Sequence, residues 1–127
     1  MKTGSVLVVE DSDEVRDVIL EILAREGYEV RSTDNGLEAW DILNSGTFDL
    51  IISDMDIPGM NGPQLMKKIR SNAVQTPILF TSGVKLAQAK LDRSDFTHYR
   101  LLCKPFDVKE IKSAIAELLD ENNRPAG

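Results

Sequence analysis

The sequence is poor in cysteine and histidine. Of its 127 residues, only Cys103 is a cysteine and only His98 is a histidine. A single cysteine cannot form an internal disulfide, and this one lies in the apolar run Tyr-Arg-Leu-Leu-Cys, so we expect a buried, unreactive thiol and a reducing compartment. A phosphohistidine role for His98 is disfavoured, and an exposed loop position is expected instead. A domain of this length buries about two-thirds of its unfolded surface and needs no disulfide or metal to stabilise it.

Long apolar segments and a surplus of basic residues are also missing. No stretch approaches the ~20 apolar residues of a membrane span. The start Met-Lys-Thr-Gly-Ser has no signal-peptide core before the first predicted strand. These features favour a cytoplasmic protein with no membrane partner. The formal net charge of −6 disfavours direct binding of nucleic acid, because phosphate neutralisation requires a basic face.

Composition and length together predict one folded domain. The 42% hydrophobic and 28% charged fractions are close to those of soluble globular proteins. The tail 122–127 is polar and contains a proline, so we expect it to fray. We therefore predict a single domain over residues 1–121.

Apolar and β-branched runs predict the strands. The runs do not alternate with polar residues, which is typical of a parallel sheet covered on both faces. Helical stripes lie between the strands, so the order predicts a doubly wound (βα)5 sandwich with right-handed crossovers. The predicted strands cover residues 5–9, 28–32, 48–53, 77–81 and 99–103.

The helical stripes have i, i+3, i+4 spacing, and all but the fourth are well defined. Asn35 followed by Glu38 predicts a capping box at the start of the second helix, and Pro63 suits the first turn of the third. The stripe from Leu86 to Leu91 is the weakest, so that helix is expected to be short or mobile. The other stripes are Val15, Val18, Ile19, Ile22 and Leu23; Leu37, Trp40 and Leu43; Leu65, Met66 and Ile69; and Val108, Ile111, Ile115, Leu118 and Leu119.

Acidic residues end two of the apolar runs, and a lysine ends a third. Glu10 and Asp11 follow Ser-Val-Leu-Val-Val, Asp54 follows Leu-Ile-Ile-Ser, and Lys104-Pro105 follows the last run. Because ligands bind at the carboxyl ends of the strands in such sheets, these side chains are expected to form one pocket. Three clustered carboxylates call for a divalent cation, and hard oxygen ligands in a tight site favour Mg²⁺. A carboxylate beside such an ion and a lysine is suited to attack a phosphoryl group.

A hydroxyl at the end of the fourth strand adds to this pattern. Either Thr81 or Ser82 is placed to hydrogen-bond to a phosphoryl oxygen in the pocket. An ordinary strand exit is the alternative interpretation of Lys104-Pro105. The acidic residues could also be ordinary solvent-exposed residues. This interpretation suits Asp13 and Glu14, whose charges are favourable at the start of a helix. It does not explain Glu10, Asp11 and Asp54, because each follows an apolar strand.

These motifs resemble the receiver domain of bacterial two-component response regulators over essentially the whole chain. Each motif is weak alone, but the motifs occur in the family's order and each lies at a strand end. The resemblance implies a flavodoxin-like fold, with a five-stranded parallel sheet of order 2-1-3-4-5. The segments that carry it are Val-Val-Glu10-Asp11-Ser, Leu-Ile-Ile-Ser-Asp54-Met-Asp-Ile-Pro58-Gly, Pro77-Ile-Leu-Phe-Thr-Ser82-Gly and Cys-Lys104-Pro105-Phe.

The resemblance implies a role for each site residue. Asp54 would be the phosphoacceptor, and Lys104 would contact the phosphoryl group. Mg²⁺ would be bound directly by Asp11 and through water by Glu10, and Asp54 and the backbone carbonyl of Asp56 would complete the protein ligands.

Two further features follow from the resemblance. Ser82 rather than Thr81 would be the switch hydroxyl, because the family's hydroxyl lies five residues after the proline that opens the fourth strand, here Pro77. The Lys104–Pro105 bond is expected to be cis, since the lysine must enter the pocket while the chain turns into the last helix.

Two positions depart from the family pattern. The residue three before the lysine, often Tyr or Phe, is Leu101, and the residue two after the phosphoacceptor is Asp56. A leucine has no polar tip and gains roughly 1.5–3 kcal/mol on burial, so Leu101 is expected to stay inward in both states of the switch. The signal is then expected to pass through the loop after Ser82 and the helix around Leu86 to Leu91.

The predicted function is Mg²⁺-dependent transfer of a phosphoryl group from a sensor histidine kinase or phosphotransfer protein to Asp54, which changes a protein-binding face. The chain is then a signalling domain rather than a turnover enzyme. Two alternatives stay open. One is a haloacid-dehalogenase-like phosphohydrolase that uses Asp54 and Asp56, and the other is a receiver fold that acts as an interaction module without phosphorylation.

Overall fold

A computed structural model describes residues 4–72, 74–83 and 98–123. The described elements are β1 (Ser5–Val9), α1 (Asp13–Arg25), β2 (Glu29–Thr33), α2 (Gly36–Asn44), β3 (Leu50–Asp54), α3 (Gly62–Ser71), β4 (Ile78–Ser82), β5 (Tyr99–Cys103) and α4 (Val108–Asn123). The strands form one parallel sheet of order β2-β1-β3-β4-β5. This order confirms the predicted flavodoxin-like α/β sandwich. The helix predicted around Leu86 to Leu91 lies outside the described residues.

Burial differs between the central and the edge strands. The central strands β1, β3 and β4 are buried almost throughout, as their apolar sequences predict. The edge strand β2 is largely exposed and β5 is half-buried. Cys103 is exposed, so the prediction of a buried thiol was wrong. This residue ends an edge strand, where the sheet's core no longer covers the side chain.

The hydrophobic core lies in two layers, one on each face of the sheet. Helices α1 and α4 cover one face, and α2 and α3 cover the other. The first layer is built on strand residues Val6, Val8, Leu50, Ile52 and Leu79. The second is built on Leu7, Val9, Ile51, Ile78 and Phe80.

The inward face of α2 differs from its predicted stripe. The buried residues are Gly36, Ala39 and Ile42, whereas Leu37 is exposed. Small residues face inward because α2 begins close to the loop after β3, where the backbone N–H of Gly36 donates to the carbonyl of Pro58 at 3.0 Å. Within the described ranges, no helix is long and apolar enough to cross a membrane.

Side-chain caps fix the helix starts that border the loops at the sheet edge. The Ser12 hydroxyl accepts from the backbone of α1. The Asn35 side chain accepts from the backbone N–H of Glu38 at 2.8 Å, which is one half of the predicted capping box. A complete capping box, which the sequence analysis missed, joins Asn61 and Gln64 at the start of α3.

Replacing Gly36 by alanine is expected to destabilise the fold. An added Cβ would lie 2.2 Å from the carbonyl oxygen and 2.6 Å from Cβ of Met60, so backbone would have to move. We expect the free energy of unfolding in urea to fall by about 2 kcal/mol. Gly46→Ala is the control, because a Cβ there meets nothing within 4 Å. Equal urea midpoints for the two variants would contradict the close contact between Gly36 and Met60.

Candidate functional site

The carboxyl edge of the sheet brings the predicted acids together. Glu10 and Asp11 follow β1, and Asp54 ends β3. One carboxylate oxygen from each of the three residues lies within 4.8 Å of the others. Glu10 is 1% exposed and Asp54 is 8% exposed, whereas Asp11 faces solvent. The protein therefore shields the cluster from solvent at Glu10 and Asp54, and solvent reaches it at Asp11.

Lys104 enters this cluster from the end of β5. Its Nζ lies 3.0 Å from Oε1 of Glu10 and 3.0 Å from Oδ2 of Asp54. Its backbone N–H donates to the carbonyl of Ser82 at 2.7 Å, which anchors the lysine to the end of β4. The Lys104–Pro105 peptide bond is cis, as expected. One ammonium thus bridges two carboxylates on separate strands.

Burial and pairing change the ionisation of this group. Burial raises the pKa of Glu10, and this effect outweighs the hydrogen bonds from Ser12 and Lys104 that lower it. Burial alone lowers the pKa of Lys104, but its hydrogen bonds to Asp54 and Glu10 outweigh burial and raise the pKa overall. Lys104 therefore stays protonated at neutral pH beside the carboxylates.

Backbone N–H groups orient the acidic side chains. The N–H of Ser12 donates to Oε2 of Glu10 at 3.1 Å, and the N–H of Asp56 donates to Oδ1 of Asp54 at 3.2 Å. The Asp56 side chain is exposed. Arg16, which the sequence analysis missed, donates to the backbone carbonyl of Glu10 at 3.0 Å. In the sequence, Arg16 is simply an arginine in the first turns of α1, which does not predict a contact with the backbone of Glu10.

Both candidate hydroxyls are buried at the end of β4. Ser82 is 0% and Thr81 is 1% exposed, and neither side-chain oxygen has a hydrogen-bond partner among the described residues. Side chains alternate along a strand, so Thr81 lies on the face of its register partner Asp54. Ser82 lies on the opposite face, with Phe80 and Leu101.

The remaining predicted residues lie away from the acids. Leu101 is half-buried and packs on the core layer under α2 and α3. His98 is exposed before β5 with φ of 49°, and its carbonyl accepts from the N–H of Ile78 at 3.0 Å. The signalling route predicted through Leu86 to Leu91 lies outside the described residues.

The donor set fits a magnesium ion. Carboxylates are hard oxygen ligands, and ligand oxygens around one Mg²⁺ lie about 3 to 4 Å apart. The oxygens of Glu10, Asp11 and Asp54 lie within 4.8 Å of one another, so one ion can be shared among them directly or through water.

Comparisons with known proteins agree with this fold and site. The family model of the response regulator receiver domain matches residues 6–116. Sporulation initiation phosphotransferase F of Bacillus subtilis (strain 168) is 31% identical, over 94% of this chain and 96% of that protein. The crystal structure of the receiver domain from the hybrid histidine kinase CckA is 36% identical, with a TM-score of 0.76 over 91% of this chain and 99% of that chain.

The chain belongs to the response regulator receiver domain family. Other relatives are longer. The DNA-binding transcriptional regulator NtrC of Bradyrhizobium sp. (strain RP501 Parasponia) is 33% identical over 95% of this chain but only 25% of the regulator. The chain thus spans about a quarter of that relative. The cluster of Glu10, Asp11 and Asp54 fits the phosphoacceptor site of the family.

Replacing Asp11 by asparagine is expected to stabilise the magnesium-free protein, because one of three adjacent negative charges is removed. We expect the thermal unfolding midpoint in EDTA to rise by roughly 2–4 °C, which corresponds to about 1 kcal/mol. Added Mg²⁺ should raise the midpoint of the wild type more than that of Asp11→Asn. Differential scanning fluorimetry measures both effects.

Asp17→Asn is the matched control. It removes the same charge from an exposed position on α1 and should change neither the midpoint nor its response to Mg²⁺. An Asp11→Asn midpoint equal to that of Asp17→Asn would show that the three carboxylates do not repel one another strongly.

Proposed function

We propose that Asp54 accepts a phosphoryl group from a sensor histidine kinase or a phosphotransfer protein in a Mg²⁺-dependent reaction. The observation that carries the proposal is the position of Asp54. Its carboxylate lies at a strand end beside two further carboxylates and 3.0 Å from the Lys104 ammonium. A carboxylate so placed can act as a nucleophile while cations neutralise an incoming phosphoryl group.

The chain would hold the ion through Asp11, Asp54 and the backbone carbonyl of Asp56, with Glu10 acting through water. When bound, Mg²⁺ supplies positive charge that offsets the charge of the phosphoryl oxygens. Lys104 lies where a phosphoryl oxygen on Asp54 can accept from its ammonium. The backbone N–H of Asp56, 3.2 Å from Oδ1 of Asp54, orients the nucleophile.

The transfer exchanges one bond to phosphorus for another. An oxygen of Asp54 attacks phosphorus, and a P–O bond forms as the P–N bond to the donor histidine breaks. The electron pair of the P–N bond stays on the imidazole nitrogen, which leaves as neutral imidazole after protonation. The product is an acyl phosphate on Asp54.

Phosphorylation would then bias a two-state equilibrium. In the proposed switch, the Ser82 hydroxyl donates to a phosphoryl oxygen and the end of β4 moves with it. Leu101 has no polar group to follow this hydroxyl, so the change would leave the site through the chain that follows Ser82 and alter a protein-binding face.

The family and its relatives support the proposed partners. One relative is named a phosphotransferase, and the CckA receiver domain is part of a histidine kinase. Transfer from such donors would take place in the cytoplasm. We propose a signalling role rather than turnover of small phosphoesters, because the acids beside Asp54 are Glu10 and Asp11, whereas Asp56 faces solvent.

Phosphorylation at Asp54 is directly testable. Incubation with acetyl phosphate and Mg²⁺ should add one labile phosphoryl group per chain in intact-mass spectra. Asp54→Asn should abolish this adduct, whereas Asp11→Asn should raise the Mg²⁺ concentration that it requires. Asp17→Asn is the matched control and should be labelled like the wild type, because its side chain is exposed on α1 and belongs to no part of the site.

The alternatives give different results in the same experiments. An interaction module that is never phosphorylated would show no adduct under conditions that label a control receiver domain. A phosphohydrolase would instead release phosphate from small phosphoesters and lose that activity in Asp56→Asn. Either result would overturn the proposal.

A further inference from the structure

Thr81 carries a buried hydroxyl that core packing does not explain. The residue is 1% exposed, and its Oγ1 has no hydrogen-bond partner in the described part of the chain. The neighbouring strand residues on the same face, Ile52 and Leu79, are apolar. A valine of the same shape would fill this position, and an unpaired buried hydroxyl disfavours the folded state. The hydroxyl therefore calls for a partner that is present in another state of the protein.

The sheet register places Thr81 beside the proposed phosphoacceptor. Thr81 pairs with Asp54 across β3 and β4, and residues paired on adjacent strands lie about 4.8 Å apart on one face. Extending the pairing of Val8 with Ile52 by two residues places Glu10 on the other side of Asp54. One row on this face thus holds Glu10, Asp54 and Thr81 in that order.

The two neighbours of Asp54 in this row have opposite hydrogen-bonding roles. The Glu10 carboxylate is an acceptor that already binds Lys104 at 3.0 Å and the N–H of Ser12 at 3.1 Å. The Thr81 hydroxyl is a donor that has no acceptor within the described ranges. Its backbone is fixed, because the N–H of Met55 donates to the Thr81 carbonyl at 2.8 Å. A donor is therefore held next to the carboxylate that would receive the phosphoryl group.

We infer that the Thr81 hydroxyl donates a hydrogen bond to the phosphorylated Asp54 side chain and so stabilises the phosphorylated state. Phosphorylation adds negative charge and three strong acceptor oxygens next to this donor. A hydrogen bond to a charged acceptor is stronger than one between neutral groups. Thr81 is then a second hydroxyl contact, distinct from Ser82 on the opposite face. The inference rests on the proposed phosphorylation of Asp54.

The test uses the full chain with beryllofluoride as the phosphoryl mimic at saturating Mg²⁺. Thr81→Val removes the hydroxyl and keeps the shape of the side chain. We expect it to weaken beryllofluoride binding about tenfold or more, measured by ¹⁹F NMR titration. Thr81→Ser keeps the hydroxyl and should bind beryllofluoride like the wild type.

The unliganded protein provides a second measurement. Thr81→Val should leave the thermal unfolding midpoint without beryllofluoride unchanged or raised, because none of the described residues pairs with the lost hydroxyl in that state. The gain in midpoint on adding beryllofluoride should be smaller in Thr81→Val than in the wild type and Thr81→Ser. This pattern separates a contact in the phosphorylated state from a structural role.

Three results would overturn the inference. Thr81→Val could bind beryllofluoride as tightly as the wild type while Ser82→Ala binds weakly, which would leave Ser82 as the hydroxyl contact. Thr81→Val could lower the unliganded midpoint, with no recovery of binding in Thr81→Ser, which would indicate a packing role. A wild type that neither binds beryllofluoride nor forms an acyl phosphate would overturn the proposed function itself and this inference with it.

Discussion

Repulsion among the carboxylates at the carboxyl edge of the sheet is the constraint on which the site depends. Glu10, Asp11 and Asp54 bring three oxygens within 4.8 Å, and Glu10 and Asp54 are almost fully buried. Lys104 offsets part of this charge through its two hydrogen bonds of 3.0 Å. Burying charges is unfavourable unless they are paired. The arrangement therefore stores electrostatic free energy that a divalent cation can release.

The strand ends stay in place because the backbone ladder continues beyond the strands. The N–H of Glu10 donates to Thr33, that of Met55 to Thr81, and that of Lys104 to Ser82, at 3.0, 2.8 and 2.7 Å. Glu10 and Lys104 are 94 residues apart in the chain, so their contact exists only once β1, β3 and β5 share one sheet. Fully buried central strands supply the rigidity that holds these like charges together.

Much of this structure is predictable from the sequence, for physical reasons that differ by residue. Apolar runs predict the central strands, because helices cover both faces of the sheet. An acidic residue at the end of such a run predicts the candidate site. Cys103 is predicted wrongly, because a run of apolar letters does not say which strand lies at the edge. The inward face of α2 is also missed, since the contact of Gly36 with Met60 depends on a loop that is distant in sequence. Whether a hydroxyl such as that of Thr81 is paired depends on distances of tenths of an ångström, which no pattern encodes.

The two hydroxyls at the end of β4 lie on opposite faces of the sheet. Glu10, Asp54 and Lys104 meet on the face covered by α1 and α4, where strand alternation also places Thr81. Ser82 follows directly in the chain yet lies on the other face, above Phe80 and Leu101. The peptide unit between Thr81 and Ser82 thus links the two faces covalently at the end of β4. In the proposed switch, a contact made by either hydroxyl would move the end of β4, and the hydrogen bond from the Lys104 N–H to the Ser82 carbonyl would pass that movement to β5. In the proposed switch, Leu101 has no polar group to follow a moving hydroxyl, so the backbone at the ends of β4 and β5 would carry a change at Asp54 away from the site.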